Sequence, residues 1–171
     1  MMQSSPLNYR RAIMWLGRLV LGAIFIYAGY AKLYLPTMHP RPPIGVALSL
    51  FAMQVDSYQI LPPWAVNFVA HALPFAEIAL GFLLIIGWQL RVSATLVSLV
   101  MLGFFGVVVR SYSLGLQINC GCFANPEPLT IKTVVRDGLL TALALLMAAF
   151  AYIEARKSHP WSPPASVRHF L

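Results

Sequence analysis

Charged side chains are scarce in this sequence: aspartate, glutamate, lysine and arginine make up 10% of its 171 residues. Soluble domains usually carry about 25%, so this chain has too few charges to cover a surface that faces water. Hydrophobic residues make up 59% of the chain and come in long runs, an arrangement that is typical of membrane helices. We therefore expect a single membrane-embedded domain.

Acidic residues are the rarer charge, with five against twelve basic ones, which gives a net charge of +7. In a soluble protein such an excess would suggest a nucleic-acid partner. Here the basic residues flank apolar runs, so we interpret them as topology signals and as contacts for anionic lipid headgroups. The predicted partner is the lipid bilayer, and no nucleic acid is expected.

Four segments are long and apolar enough to span a membrane, since a span needs about 20 mostly apolar residues. The predicted spans are residues 12–35, 65–89, 92–113 and 130–153. Arg10 and Arg11 precede the first run, as in a cleaved signal peptide. That run is longer than a signal core and carries Arg18 and Lys32, so we expect a retained helix.

The stretch between the first two spans cannot itself span the membrane. Prolines cluster in residues 36–43, and the apolar segment 44–55 is too short. We expect a short helix there that lies in the interface or packs on the bundle. The predicted fold class is an all-α integral membrane protein, a four-transmembrane-helix bundle with a short interfacial helix between helices 1 and 2. Gly22, Gly29 and Gly81 predict close helix approach.

The distribution of lysine and arginine predicts the orientation of the chain. Seven of the twelve basic residues fall on the inner side if residues 1–11 form a cytoplasmic N-terminus and residues 154–171 a cytoplasmic tail. The predicted location is therefore the cell inner membrane, with a multi-pass chain whose loop between spans three and four faces the periplasm. The tail after Lys157 contains three prolines and is expected to be disordered.

Ionisable residues inside the spans are unfavourable in lipid and therefore mark candidate sites. We expect Glu77, near mid-depth of the second span, to be protonated or paired within the bundle. His71 is a candidate for proton handling, although a hydrogen-bonded core histidine is the more frequent case. Arg18 and Lys32 are expected to extend towards the headgroups. The predicted topology places one polar group of residues in the outer half: Lys32, His71, Glu77, Arg110, Arg136 and Asp137.

The chain has two cysteines, Cys120 and Cys122, with Gly121 between them. The glycine permits the tight turn that a disulfide between residues two apart needs. Closing so short a loop constrains the unfolded chain little, which favours a redox-active pair over a structural disulfide or inert thiols. A metal site is less favoured because two cysteines supply half of a tetrahedral site. Arg110 and Arg136 are candidates to stabilise a thiolate.

Several of these residues also resemble a known family, over roughly residues 16–140. Signature positions of DoxX-like membrane proteins are matched in the first two spans by Gly22, Phe25, Gly29, Lys32, Pro74, Glu77, Gly81, Gly87 and Arg91. The segment "NCGCF" at residues 119–123 resembles the Cys-Gly-Cys-Phe-Gly loop of the MauE-type members, and Arg136 matches an arginine that opens their last helix. Ala124 and Asp137 stand where glycine and asparagine are expected.

The resemblance implies an inner-membrane protein that acts with a periplasmic thioredoxin-like partner in maturing a disulfide-rich subunit of methylamine dehydrogenase. We therefore predict a thiol–disulfide redox protein with one set of catalytic residues: Cys120, Cys122, Arg110, Arg136 and Glu77. With one cysteine pair, the second redox party must be another protein or a quinone, the single candidate cofactor; no metal is expected. The alternatives are a non-enzymatic integral subunit that anchors or assembles a larger complex and a quinone-linked electron-transfer subunit.

Overall fold

The computed structural model describes residues 6–36, 38–120 and 127–157, with residues 6–11 and 157 described by their backbone alone. These residues form five helices: α1 (Pro6–Tyr34), α2 (Ile44–Asp56), α3 (Pro63–Ile86), α4 (Leu90–Ser113) and α5 (Ile131–Lys157). All except α2 are long and apolar enough to cross a membrane. The predicted fold class, four spans with a short helix between the first two, is confirmed.

The core of the bundle is built by all four long helices. Its buried residues are Leu21 and Phe25 of α1, Leu80 and Leu84 of α3, Ala94 and Val97 of α4, and Ala144 and Met147 of α5. The short helix α2 buries one face, made of Ala47, Leu48 and Phe51, and contacts α1 and α3. It therefore packs on the bundle, as its short apolar sequence predicts.

Glycines let α1 and α3 approach so closely that their backbones touch. A methyl group at Gly81 would lie 2.7 Å from the carbonyl oxygen of Gly22, and one at Gly22 would lie 2.9 Å from that of Gly81. A methyl group at Gly29 would meet the carbonyl oxygen of Pro74. The close approach predicted from these small residues is confirmed, and it sets the distance between the two helices.

Hydroxyl groups join α4 to α5 inside the bundle. The Ser98 hydroxyl lies 2.8 Å from the carbonyl oxygen of Ala94 and 2.9 Å from that of Ala144 on the other helix. Thr141 lies 3.5 Å from the carbonyl oxygen of Met101. In a lipid environment such hydrogen bonds add to the packing between helices, so α5 is held against α4.

Arg18 is half-buried and reaches from α1 to the last turn of α3. Its Nε and Nη2 atoms donate to the carbonyl oxygens of Leu84 and Ile85, both at 3.0 Å. The last carbonyl groups of a helix have no partner within that helix, so Arg18 caps α3 from α1. Gly87 ends α3 with φ of 80°, and a side chain at that position would collide with the Arg18 guanidinium.

We predict that Gly81→Ala destabilises the bundle by about 1–3 kcal/mol, because the added methyl group overpacks the contact with α1. Gly103→Ala is the matched control, since no atom lies within 4 Å of a methyl group there. The control is expected to be neutral or slightly more stable, because alanine favours helix. Thermal unfolding of both variants in detergent measures the difference, and equal melting temperatures would contradict the prediction.

Candidate functional site

Cys120 lies at the base of the loop between α4 and α5, where the two arms of the loop pair. Asn119 and Pro128 form an isolated antiparallel bridge. The backbone N–H of Cys120 donates to the carbonyl oxygen of Glu127 at 2.9 Å. The pairing holds Cys120 in a defined position, although it stands in a loop.

The Cys120 side chain is buried, with 2% of the residue exposed, and it is disulfide-bonded. Cys122, the other cysteine of the chain, lies outside the described residues, as does Ala124. The carbonyl oxygen of Cys120 accepts a 2.6 Å hydrogen bond from the Tyr58 hydroxyl. Burial, with a contribution from the charge of Asp137, raises the pKa of Tyr58 to about 12. Tyr58 therefore keeps its proton at neutral pH and joins the α2–α3 connection to the cysteine loop.

Two charged side chains at the start of α5 contact the Cys120 sulfur. Nη2 of Arg136 lies 3.8 Å from Sγ, and Oδ2 of Asp137 lies 3.7 Å from it on a residue that is 2% exposed. Nε of Arg136 donates to Oδ1 of Asp137 at 3.0 Å, and its Nη1 donates to Glu127. The surroundings of the sulfur are thus not simply positive: they combine one cation with a buried carboxylate and a half-exposed one.

Asp137 belongs to the polar group predicted for the outer half, but it was not among the predicted catalytic residues. A sulfur atom in a disulfide has no proton to donate, so the 3.7 Å contact would be an S–H···O hydrogen bond only in a reduced Cys120. The sequence shows Asp137 as a neighbour of Arg136 and as a departure from the expected asparagine. That departure, a buried acid one residue after a predicted site arginine, is the signal that could have pointed to it.

The other predicted polar residues fall into two groups. Glu77 is paired within the bundle, as expected: Lys32 Nζ lies 2.9 Å and 2.8 Å from its two carboxylate oxygens. Lys32 is 6% exposed, so the expectation that it extends to the headgroups is wrong. Arg110 in the last turn of α4 and His71 on α3 have exposed side chains, and Nδ1 of His71 lies 2.8 Å from the Asn67 carbonyl oxygen.

One cavity of about 210 Å³ is lined both by the ion pair of the bundle and by the residues around Cys120. The buried ion pair of Lys32 and Glu77 lies on its wall, and so do Tyr58, Cys120 and Asp137. The structure therefore places the predicted residues Glu77 and Cys120 at one site. Within the described part of the chain, no group of three or more histidine, cysteine, aspartate or glutamate side chains could hold a metal ion.

Comparisons with known proteins agree on one family. The family model described as methylamine utilisation protein MauE matches residues 10–150 of this chain. The methylamine utilization protein MauE of Paracoccus denitrificans is 30% identical over 139 residues, which cover 80% of this chain and 68% of the relative. The protein of the same name from Paracoccus versutus is 33% identical over 141 residues, with coverages of 80% and 69%. No solved structure matches the chain.

We predict that Lys32→Met destabilises the protein by about 3–5 kcal/mol, because it leaves the charge of Glu77 buried without its partner. Adding Glu77→Met to the same chain removes that second charge and is expected to restore part of the loss. Lys132→Met, at an exposed position of α5, is the control and should change little. Thermal unfolding in detergent compares the variants. A double variant that is no more stable than Lys32→Met would contradict a coupled pair.

Proposed function

We propose that this chain, which belongs to the MauE family of methylamine utilisation proteins, is a membrane thiol–disulfide redox protein. The observation that carries the proposal is the disulfide-bonded Cys120, whose sulfur is buried against Arg136 and Asp137. A structural disulfide needs no such charged neighbours, whereas a sulfur that alternates between disulfide, thiol and thiolate needs a cation and a proton acceptor.

The chain is a multi-pass membrane protein, and we place it in the cell inner membrane with both termini in the cytoplasm. The cysteine loop then faces the periplasm, a compartment in which disulfides persist. Its proposed partner is a periplasmic thioredoxin-like protein. Through that partner it would serve the maturation of a periplasmic enzyme such as methylamine dehydrogenase, in keeping with the name of the family.

The burial of Cys120 implies different roles for the two cysteines. A protein partner cannot reach a sulfur on a residue that is 2% exposed, so we assign the first attack to the sulfur of Cys122. The partner's thiolate forms a mixed disulfide with Cys122 and breaks the bond to Cys120, which leaves as a thiolate. The second thiol of the partner then resolves the mixed disulfide, so the partner is oxidised by two electrons and the cysteine pair is reduced.

Arg136 and Asp137 act on Cys120 in both directions of this exchange. The Cys120 thiolate lies beside the Arg136 guanidinium, which stabilises its negative charge. In the reverse direction the Cys120 thiol passes its proton to the Asp137 carboxylate and becomes the nucleophile. Arg136 also holds Asp137 in place through the 3.0 Å hydrogen bond, so it is a positioning residue as well as a charge.

Trapping the mixed disulfide tests the assignment of the cysteines. With Cys120→Ser, the remaining Cys122 is expected to form a stable mixed disulfide with a thioredoxin-like protein, visible as a reducible band on a non-reducing gel. With Cys122→Ser, the buried Cys120 is expected to trap much less. Equal trapping by both variants would contradict the assignment of the first attack to Cys122. Absence of trapping together with normal function of the double serine variant would favour the alternative of a non-enzymatic assembly subunit.

The role of Asp137 predicts a kinetic effect without loss of the disulfide. Asp137→Asn keeps the size of the side chain but removes the proton acceptor. It is expected to slow the reaction of the reduced cysteine pair with a partner's disulfide by about 10²-fold or more at neutral pH. The loss should shrink as the pH rises, because hydroxide then generates the thiolate. Glu154→Gln, at an exposed position near the other end of α5, is the control. A pH-independent loss in Asp137→Asn would indicate a structural role instead.

A further inference from the structure

The cavity beside Cys120 has a composition that the exchange of disulfides between proteins does not require. Most of its lining is aliphatic and aromatic, supplied by α1, α2, α3 and α4, with Phe25 and Phe104 among the rings. The charged and polar groups on its wall are Lys32, Gln54, Glu77, Tyr58 and Asp137, together with Cys120 itself. An apolar pocket with a few convergent polar groups is the usual form of a small-molecule site.

The volume of the cavity limits what it can hold. An engineered cavity of about 150 Å³ lined by aliphatic and aromatic side chains is large enough to bind benzene. The cavity described here measures about 210 Å³, which leaves room for a single six-membered ring with small substituents.

We propose that this cavity binds the ring of a benzoquinone and that the quinone is the oxidant of the cysteine pair, an inference that rests on the proposed function. The two thiols lose two electrons and two protons and form one S–S bond. The quinone gains both electrons and both protons and becomes the quinol, so the reaction is balanced with no further reactant. The pair is thereby kept oxidised, and electrons flow from the thioredoxin-like partner to the membrane.

The polar groups of the wall match the needs of this reaction. A quinone gains negative charge on its oxygen atoms as it is reduced, and the Lys32 ammonium group on the wall stabilises that charge. Asp137 contacts the Cys120 sulfur and also lines the cavity, so it can take a proton from the thiol and deliver it on the same side. Glu77, bound to Lys32, is the second carboxylate on the wall.

The acyl chain of a lipid is the competing occupant of an apolar space inside a membrane bundle. A hydrocarbon chain offers no hydrogen-bonding atom to an ion pair or a carboxylate, and polar groups left against hydrocarbon are unfavourable. The carbonyl oxygens of a quinone can accept hydrogen bonds, and its ring is apolar. The combination of an aromatic lining, an ammonium group and a neighbouring disulfide therefore favours the quinone.

The test uses the purified full chain in phosphatidylcholine nanodiscs, with its cysteine pair reduced and excess reductant removed. A benzoquinone with one isoprene unit is added, and quinone absorbance and free thiols are followed together. One quinone is expected to be consumed for each pair oxidised, with a rate that saturates as the quinone concentration rises. Exchange of the oxidised pair with reduced thioredoxin is measured in parallel on the same samples.

Two neighbouring residues of α5 provide matched variants. Leu140 lines the cavity, whereas Leu139 is 68% exposed on the outer surface of the helix. Leu140→Trp is expected to lower kcat/KM for quinone reduction by roughly tenfold or more, because the indole fills the space of the ring. Its exchange with thioredoxin should stay within about twofold of the original rate, and Leu139→Trp should leave both rates unchanged. Val107→Phe, on the α4 wall, replaces Leu140→Trp if that variant does not fold.

The outcomes separate this inference from the proposed function. If the protein exchanges disulfides with thioredoxin but does not reduce quinone, the inference of a quinone site is wrong and the proposed function is unaffected. Quinone reduction that does not saturate, or that is equal in Leu140→Trp and Leu139→Trp, also overturns it, as does a lipid that occupies the cavity and that added quinone does not displace. If the unchanged protein shows neither quinone reduction nor exchange with thioredoxin, the proposed function is overturned as well.

Discussion

The buried ion pair between Lys32 and Glu77 is the interaction on which the site depends. Both side chains are shielded from solvent, and the ammonium group lies within 2.9 Å of both carboxylate oxygens. An unpaired charge is very unfavourable in such surroundings, so α1 and α3 must keep the register that joins these two residues. Gly29 lies opposite Pro74 and the Glu77 side chain, and its lack of a side chain lets the helices come close enough. The Phe51 ring of α2 lies 5.5 Å from Lys32 Nζ, which adds a third helix to the unit.

A second polar unit lines the same cavity, and it is built differently. Its members come from the loop before α5 and from the first turns of that helix, and backbone pairing between the loop arms holds them together. Tyr58 connects this unit to the α2–α3 segment. The lining of the cavity therefore includes a charge pair anchored in α1 and α3 and a sulfur-centred group anchored by the start of α5.

Hydropathy was sufficient to predict the architecture, whereas the contacts within it were not predictable. The four spans follow from long apolar runs, and the packing of α2 follows from its short one. Glu77 could be predicted to be paired, because an unpaired charge at mid-depth is very unfavourable. Its partner Lys32 could not be predicted, because it lies 45 residues earlier, near the end of α1. Arg110 and Arg136 look equivalent in the sequence; the side chain of the first is exposed, and the second reaches the sulfur. Which side of a helix faces the cavity depends on packing, and therefore the contact between Asp137 and the Cys120 sulfur appeared only in the structure.

The cap that Arg18 places on α3 has a consequence for how the family can vary. The guanidinium occupies the space next to Gly87 in which a side chain would begin, and the backbone there has φ of 80°, which glycine adopts more readily than other residues. A lineage that replaces Gly87 must therefore also move or lose the arginine, and one that loses the arginine leaves the last carbonyl groups of α3 to find another donor. Two positions in different helices, Arg18 and Gly87, are thus expected to vary together.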